Sequence, residues 1–362
     1  MPLKFMILAG AAAFVSSSPL LAQSGLASGA EQSKPAKVPF VREDAEAAIR
    51  DLAAAVEENY VFPDIGRQYA GFLQKSLEAG KYARFADAET FARQVTEDLR
   101  SFHKDGHLRL EVVRPEERDA AHAPNGGPPA GNAVAKAGWL APGVAYIDFS
   151  GFPGNETTLD EVRKFLDAHG DAKSLIIDVR HNGGGGLAEM NLIFARIFAR
   201  PTTLVDMDIR TAVEAKYGSP FDPKDRLLRR IDGPDTINRR EHVVVPAAEQ
   251  GSLKDAKVYL LTSKKTFSAA EHLSLSLKRT HRATLVGEAT GGGAHFGGMA
   301  PMGKGYAAFI PVGRTFDPDT GKSWEGTGVA PDVAVSADEA LDEALRLAGV
   351  KVSGADAIAS LK

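Results

Sequence analysis

The chain contains no cysteine, which excludes a disulfide framework and leaves no thiol for a lipid anchor. It also lacks any apolar run near the roughly 20 residues that cross a bilayer. No excess of one charge exists either: the formal net charge is -4 with both signs interspersed, which argues against nucleic acid or anionic lipid as a partner. The basic run "KDRLLRR" (224–230) is flanked by acidic residues and reads as a solvated arm. The glycine-rich stretch "DVRHNGGGG" (178–186) lacks the G-x-G-x-x-G order and a G-K-[ST] ending, so neither dinucleotide nor phosphate binding by a known loop is supported.

What is there begins with "MPLKFMILAGAAAFVSSSPLLAQS". One basic residue, Lys4, precedes an apolar run from Phe5 to Val15, and small residues follow to Ala22. This is the pattern of a secretory signal peptide over residues 1–22, and a Gram-negative periplasm is the expected location. A mature chain of about 340 residues buries enough core to dispense with disulfides. Residues 23–40 are small, polar and proline-punctuated, as in a linker.

Three amphipathic helices are expected over residues 41–102. Ile49, Leu52, Val56 and Tyr60 mark one buried face; Tyr69, Leu73 and Leu77 a second; Phe91, Val95, Leu99 and Phe102 a third. The strand-like "GHLRLEVV" follows, and Pro, Gly and Ala then mark a flexible loop over 111–142. From Gly143 strands and helices alternate, which predicts an α/β core with a largely parallel sheet spanning 103–335. A C-terminal helix and tail occupy 336–362.

Candidate chemistry falls beyond the carboxyl ends of strands, where such sheets place their sites. Ser268 opens a helix directly after the strand-like "AKVYLL", and Glu271 completes a capping box. A strand, a tight turn and a serine at a helix N-terminus is also how enzymes present a nucleophilic hydroxyl. The loop "RHNGGGG" (180–186) allows a substrate to approach bare backbone N–H groups, although a tight turn alone would also use glycine. In "HKDGH", His103 and His107 have helical metal-ligand spacing, but Lys104 stands where a zinc protease would have its glutamate base. His107 is better motivated as a general base. Glu325, in "WEGTGVAPDV", could orient an imidazole or a water.

The ordered motifs "DLRSFHKDGHLRL", "LIIDVRHNGGGG", "TFSAAEHL", "LVGEATGGGAHFGG" and "IPVGRTFDPDTGKSWEGTGVAPDV" resemble the tail-specific, or C-terminal processing, serine peptidases. The similarity is to the subgroup of interphotoreceptor retinoid-binding protein and the tricorn core protease. It implies a crotonase/ClpP-like core, no metal or organic cofactor, and a protein or peptide substrate. Ser268 is then the nucleophile, and the N–H of Ala269 with that of Gly183 or Gly184 forms the oxyanion hole. Gly293 falls where many members carry a lysine base, so the resemblance assigns the base to His107 and the distant glutamate to Glu325. Gly106 replaces the serine that stands beside the histidine in the tricorn-like branch. His295 is an alternative base, and Asp105 the nearest orienting carboxylate. About 30 residues between Leu110 and Gly143 are too few for a PDZ domain, for which roughly 50 is the minimum. A histidine base implies loss of activity below about pH 6.5. The alternative from another class is a non-catalytic binding protein carrying an apolar ligand or a peptide. The oligomeric state is not readable.

Overall fold

The computed structural model describes residues 37–114, 131–248 and 251–361. The expected signal peptide and most of the linker lie outside the described residues. Helices α1 (Arg42–Asn59), α2 (Pro63–Glu78) and α3 (Ala88–Phe102) come first. Proline at the first position of α2 fits a site where the missing N–H costs nothing. The Asp87 side chain accepts from Thr90 N–H at the start of α3.

Two six-stranded sheets follow. The first runs β12 (Val333–Ala334), β9 (Thr284–Gly287), β8 (Lys257–Thr262), β4 (Ser174–Asp178), β3 (Val144–Phe149), β2 (Val134–Ala141). Every pair is parallel except β2 with β3 at the edge. Buried on both faces, its inner strands read as continuous apolar runs, as in "SLIID". One face packs under α4 (Glu156–Ala168), α5 (Ala188–Ile197) and α7 (Ala269–Arg279) through Ile147, Ile177 and Leu260. Alternate residues Tyr146, Ile176 and Leu261 meet α8 (Ala340–Leu347) on the other face, beside α9 (Gly354–Ala359).

The second sheet is antiparallel throughout: β1 (Arg109–Val112), β11 (Tyr306–Phe316), β5 (Thr202–Arg210), β7 (Ile237–Val244) and β6 (Leu228–Ile231), with β10 (His295–Pro301) also on β11. Its apolar side residues, among them Leu110, Ala308, Ile310 and Val312, share a core with α1, α2 and α3. Helix α6 (Thr211–Tyr217) connects β5 onward.

Three differences from the sequence reading concern strands. The antiparallel sheet was not anticipated, because its long strand β11 pairs with β1 and β5 across more than a hundred residues and its strands carry mixed polarity. Part of the basic run is strand β6, with Arg229 paired to Glu241 at 2.9 Å across the ladder. Within the expected 111–142 loop, Val134–Ala141 is the edge strand β2, in which Ala and Gly are mixed with larger residues and pairing with β3 supplies order that composition does not show.

Helix α7 joins the two sheets. Leu273 and Leu277 enter the parallel-sheet core, while His272 meets His242 of β7, Nε2 to Nδ1 at 2.8 Å. His242 Nε2 lies 2.8 Å from Asn191 Oδ1 of α5. Both rings are buried. Burial pushes His242 down to about 3, and burial with the neighbouring ring lowers His272. Both histidines are thus neutral when folded but bind protons below about pH 6.5 when unfolded. Stability carried by this pair is full above that pH and falls as pH drops. We predict a loss approaching ~1.4 kcal/mol per pH unit for each histidine below that point. Urea unfolding at pH 7 and pH 5 checks this. The double variant His242→Gln/His272→Leu should show a shallower pH slope than the wild type, and an equal slope would refute it.

Candidate active site

The parallel sheet delivers two loops to one place. The exit of β4 (residues 179–186) and the turn after β8 (residues 263–268) are tied together by three hydrogen bonds. These run from Ser263 Oγ to the Arg180 carbonyl (2.5 Å), from Thr266 Oγ1 to the Val179 carbonyl (2.8 Å), and from Phe267 N–H to the Asn182 carbonyl (3.0 Å). Ser268, at the N-cap of α7, has φ 56° and ψ −118°. A non-glycine residue with positive φ is strained, and such strain collects where a side chain must be aimed.

The backbone of this turn is held by Glu271. Its buried carboxylate accepts the N–H of Ser268 (2.9 Å), Gly292 (2.7 Å) and Gly293 (2.7 Å), and the Thr290 hydroxyl. The glutamate half of the capping box is therefore made, while the N–H of Glu271 goes to the Ser268 carbonyl at 2.9 Å.

The Ser268 hydroxyl faces His107, Oγ to Nε2 3.0 Å. His107 reaches this point from the junction of α3 and β1. Its ring lies between Phe267 (centroids 4.7 Å apart) and Phe309 of β11 (5.3 Å). His107 Nδ1 is buried and has no hydrogen-bond partner among the described residues, so ring packing sets the imidazole plane. Burial pushes this histidine down to about 3, against the opposing charge of Asp105. It is a neutral imidazole at physiological pH.

Asp105 is close, but it does not bond the His107 ring. One oxygen accepts the backbone N–H of His107 (2.8 Å) and of Leu108 (2.9 Å); the other accepts Tyr60 Oη (2.7 Å) and His295 Nδ1 (2.8 Å). Glu325 likewise accepts backbone groups: Gly106 N–H at 2.7 Å, Ala294 N–H at 2.6 Å and His295 N–H at 3.1 Å. His295 faces these carboxylates, with Nδ1 also 3.6 Å from Glu325. The sequence candidates thus separate into a front pair, Ser268 and His107, and a rear cluster, Asp105, His295 and Glu325. The rear cluster offers three ligand-type atoms within 4.8 Å of one another, yet each carboxylate oxygen already accepts an N–H or O–H. His103 lies apart from His107, its ring against Tyr69 at 5.9 Å.

Beside Ser268 stands Gly184, with φ 105°; a Cβ there would lie 2.7 Å from Ser268 Cβ. The N–H of Gly184 donates to Asn182 Oδ1 at 2.8 Å. Of the two glycines considered for an oxyanion hole, Gly183 is the one whose N–H has no partner among the described residues, as has Ala269 at the first position of α7. Asn182, buried, went unnoticed in the sequence, although an asparagine two residues before a glycine N–H is the signature of an Asx turn.

Gly293 is the position at which the resemblance leads one to expect a lysine base. A Cβ there would lie 2.3 Å from Phe267 Cζ and 2.7 Å from His107 Cε1. Installing that lysine should therefore remove activity, since it displaces the His107 ring. Kinetics of Gly293→Lys beside Gly293→Ala would check this; faster turnover by the lysine variant would contradict it.

Comparisons with known proteins agree with this architecture. A family model described as peptidase family S41 matches residues 143–335. A second, the N-terminal domain of Peptidase_S41 in eukaryotic IRBP, matches residues 33–136. Among solved structures, the chain is similar to a lipoprotein from Streptococcus agalactiae, with 18% identity, TM-score 0.52, and coverage of 86% of this chain and 98% of that one. It is similar to mature CPAF, with 13% identity, TM-score 0.51, and coverage of 82% and 94%. The tricorn protease matches with 14% identity and TM-score 0.52 over 88% of this chain and 36% of that one. These likenesses concern the fold.

Proposed function

The chain belongs to peptidase family S41, and from that premise we propose that it is an exported serine endopeptidase that cleaves protein or peptide substrates through a Ser268 acyl-enzyme. The observation that carries this reading is the 3.0 Å approach of Ser268 Oγ to a neutral, buried His107 Nε2 beside unpartnered backbone N–H groups. In the proposed reaction Ser268 Oγ attacks the substrate carbonyl carbon while its proton passes to His107 Nε2. The N–H groups of Ala269 and Gly183 receive the oxyanion. His107 then protonates the leaving amine as the C–N bond breaks. Water, deprotonated by the same ring, hydrolyses the ester and restores Ser268.

No step needs a metal or an organic cofactor. Glu325 and Asp105 act in this reading on the backbone that carries His107, and His295 is not the base, because it faces them and not Ser268. The expected signal peptide over residues 1–22 supports a reaction outside the cytoplasm. No helix among the described residues is long and apolar enough to cross a membrane.

Intact mass after treatment with a fluorophosphonate tests the assignment. One adduct that maps to Ser268 and disappears in Ser268→Ala and in His107→Ala is expected. The serine substitution should cost at most about 2 kcal/mol of stability even if the hydroxyl helps cap α7. No adduct, and no cleavage of an unfolded protein, would favour a carrier of the same fold.

The pH profile provides a second test. Because burial lowers the His107 pKa, the base stays unprotonated well below the pH at which an exposed histidine charges. The acid limb of kcat/KM should lie clearly below pH 6.5. A limb at or above that value would remove His107 from the role of base.

A further inference from the structure

Behind His107 the rear cluster poses an electrostatic problem. Asp105 and Glu325 are both buried or nearly so, their oxygens are close together, and His295 Nδ1 lies 2.8 Å from one and 3.6 Å from the other. Asp105 and Glu325 receive backbone N–H groups in the manner of ionised carboxylates, which accept only. Two buried like charges at this separation do not both persist without a cation or a shared proton.

Other charges nearby are already committed. Arg314, the ladder partner of His295 on β11, gives its guanidinium to Asp208 at 3.0 Å. Tyr60 donates its hydroxyl to Asp105; burial, and then that carboxylate, push its pKa far up, so it remains a neutral donor. His107 is neutral. Tyr69 gives its hydroxyl to the His103 carbonyl at 2.8 Å, and burial, then the charge of Asp105, push its pKa far up, so it too stays neutral. Among the described residues this leaves His295 as the group that can carry a positive charge against both carboxylates, and Tyr60 and Phe62 enclose its ring edge-on at 6.2 and 5.6 Å.

We propose that His295 is a permanently protonated positioning residue: its imidazolium holds Asp105 and Glu325 ionised, and these two carboxylates fix the Gly106–Leu108 turn that aims His107 at Ser268. Burial alone would make His295 neutral, but the hydrogen bond and the charge of Asp105 outweigh it and raise its pKa. Burial, and to a lesser extent the charge of Asp105, push Glu325 up, and the His295 imidazolium with the N–H groups of Gly106 and Ala294 opposes them. With one cation and two anions the cluster keeps one net negative charge, which favours the imidazolium that His107 becomes in the transition state. An orienting carboxylate against the His107 ring is thereby replaced by a charge cluster that grips its backbone.

The assignment rests on the peptidase reading for its kinetic consequences but not for its structural one, so two readouts separate them. Nuclear magnetic resonance of the full-length mature protein with labelled histidine reports the state of His295 whether or not the protein cleaves anything. Both His295 ring nitrogens should carry protons at pH 7, and the titration should move to lower pH in Glu325→Gln. A neutral ring at pH 7 overturns the proposal. So does a ring that binds added zinc together with activity that a chelator abolishes, since the cluster would then be a metal site.

In the kinetic arm His295→Asn keeps a donor near the Nδ1 position and removes the charge. One carboxylate should then take up the shared proton, loosening the turn. A fall in kcat of about tenfold or more with KM little changed is expected. A new acid limb should also appear, absent from the wild type, with rate rising as that proton leaves. A variant that folds, judged by its unfolding midpoint, and shows an unchanged pH profile would refute the positioning role. Failure of wild-type protein to label at Ser268 would instead refute the peptidase reading and leave the resonance result standing.

Discussion

Buried carboxylates that accept backbone N–H groups are the interaction on which this site depends. Glu271 gathers the serine turn and the 290–293 loop; Asp105 gathers the start of β1; Glu325 joins Gly106 to β10. The segments they hold are rich in glycine and have few side chains with which to pack. A loop of that kind loses much conformational entropy on ordering, and charge-assisted hydrogen bonds are the strong ones available to offset it. Removing one such carboxylate leaves several buried donors unpaired at once, a much larger loss than a single surface contact.

That arrangement explains how Ser268 tolerates its backbone conformation. Positive φ at a residue with a Cβ costs of order 1–3 kcal/mol, and it persists because neighbours on both sides are fixed. Phe267 is tied to Asn182, the Ser268 N–H to Glu271, and Gly184 leaves no room for a side chain between the two loops. The helix cap and the presented hydroxyl are then two consequences of one turn. The cap bonds occupy the backbone and the carboxylate, and the hydroxyl is left directed at His107.

Much of this was legible in the sequence, and the reason differs by element. The apolar runs "SLIIDV" and "AKVYLL" read as buried parallel strands because both of their faces are covered. The S-x-x-E pattern placed the start of α7, and "RHNGGGG" marked a loop with room for close backbone approach. The antiparallel sheet was not legible: β5, β7 and β11 carry charges such as Asp208, Arg239 and Arg314 that pair with each other across the sheet, and such pairing leaves no local period. The hydrogen-bond partners of Asp105 were not legible for a related reason. Proximity in sequence suggested the His107 ring as its partner, whereas the carboxylate satisfies the backbone two and three residues on and a histidine 190 residues away. The packing of Phe267 and Phe309 against the His107 ring carries no sequence signature at all.

The position of Gly293 bears on what kind of base this fold can hold. A lysine there needs a stem that starts where the Phe267 and His107 rings now lie. His107, in turn, needs those surroundings, because its Nδ1 has no hydrogen-bond partner among the described residues and its plane is set by Phe267 and Phe309. A lysine base and a histidine base therefore compete for one volume in this site, and the chain cannot carry both without rebuilding the turn. In the reading proposed above, the glycine at 293 does not count against activity: it leaves the space in which a histidine delivered from the helical junction stands 3.0 Å from Ser268.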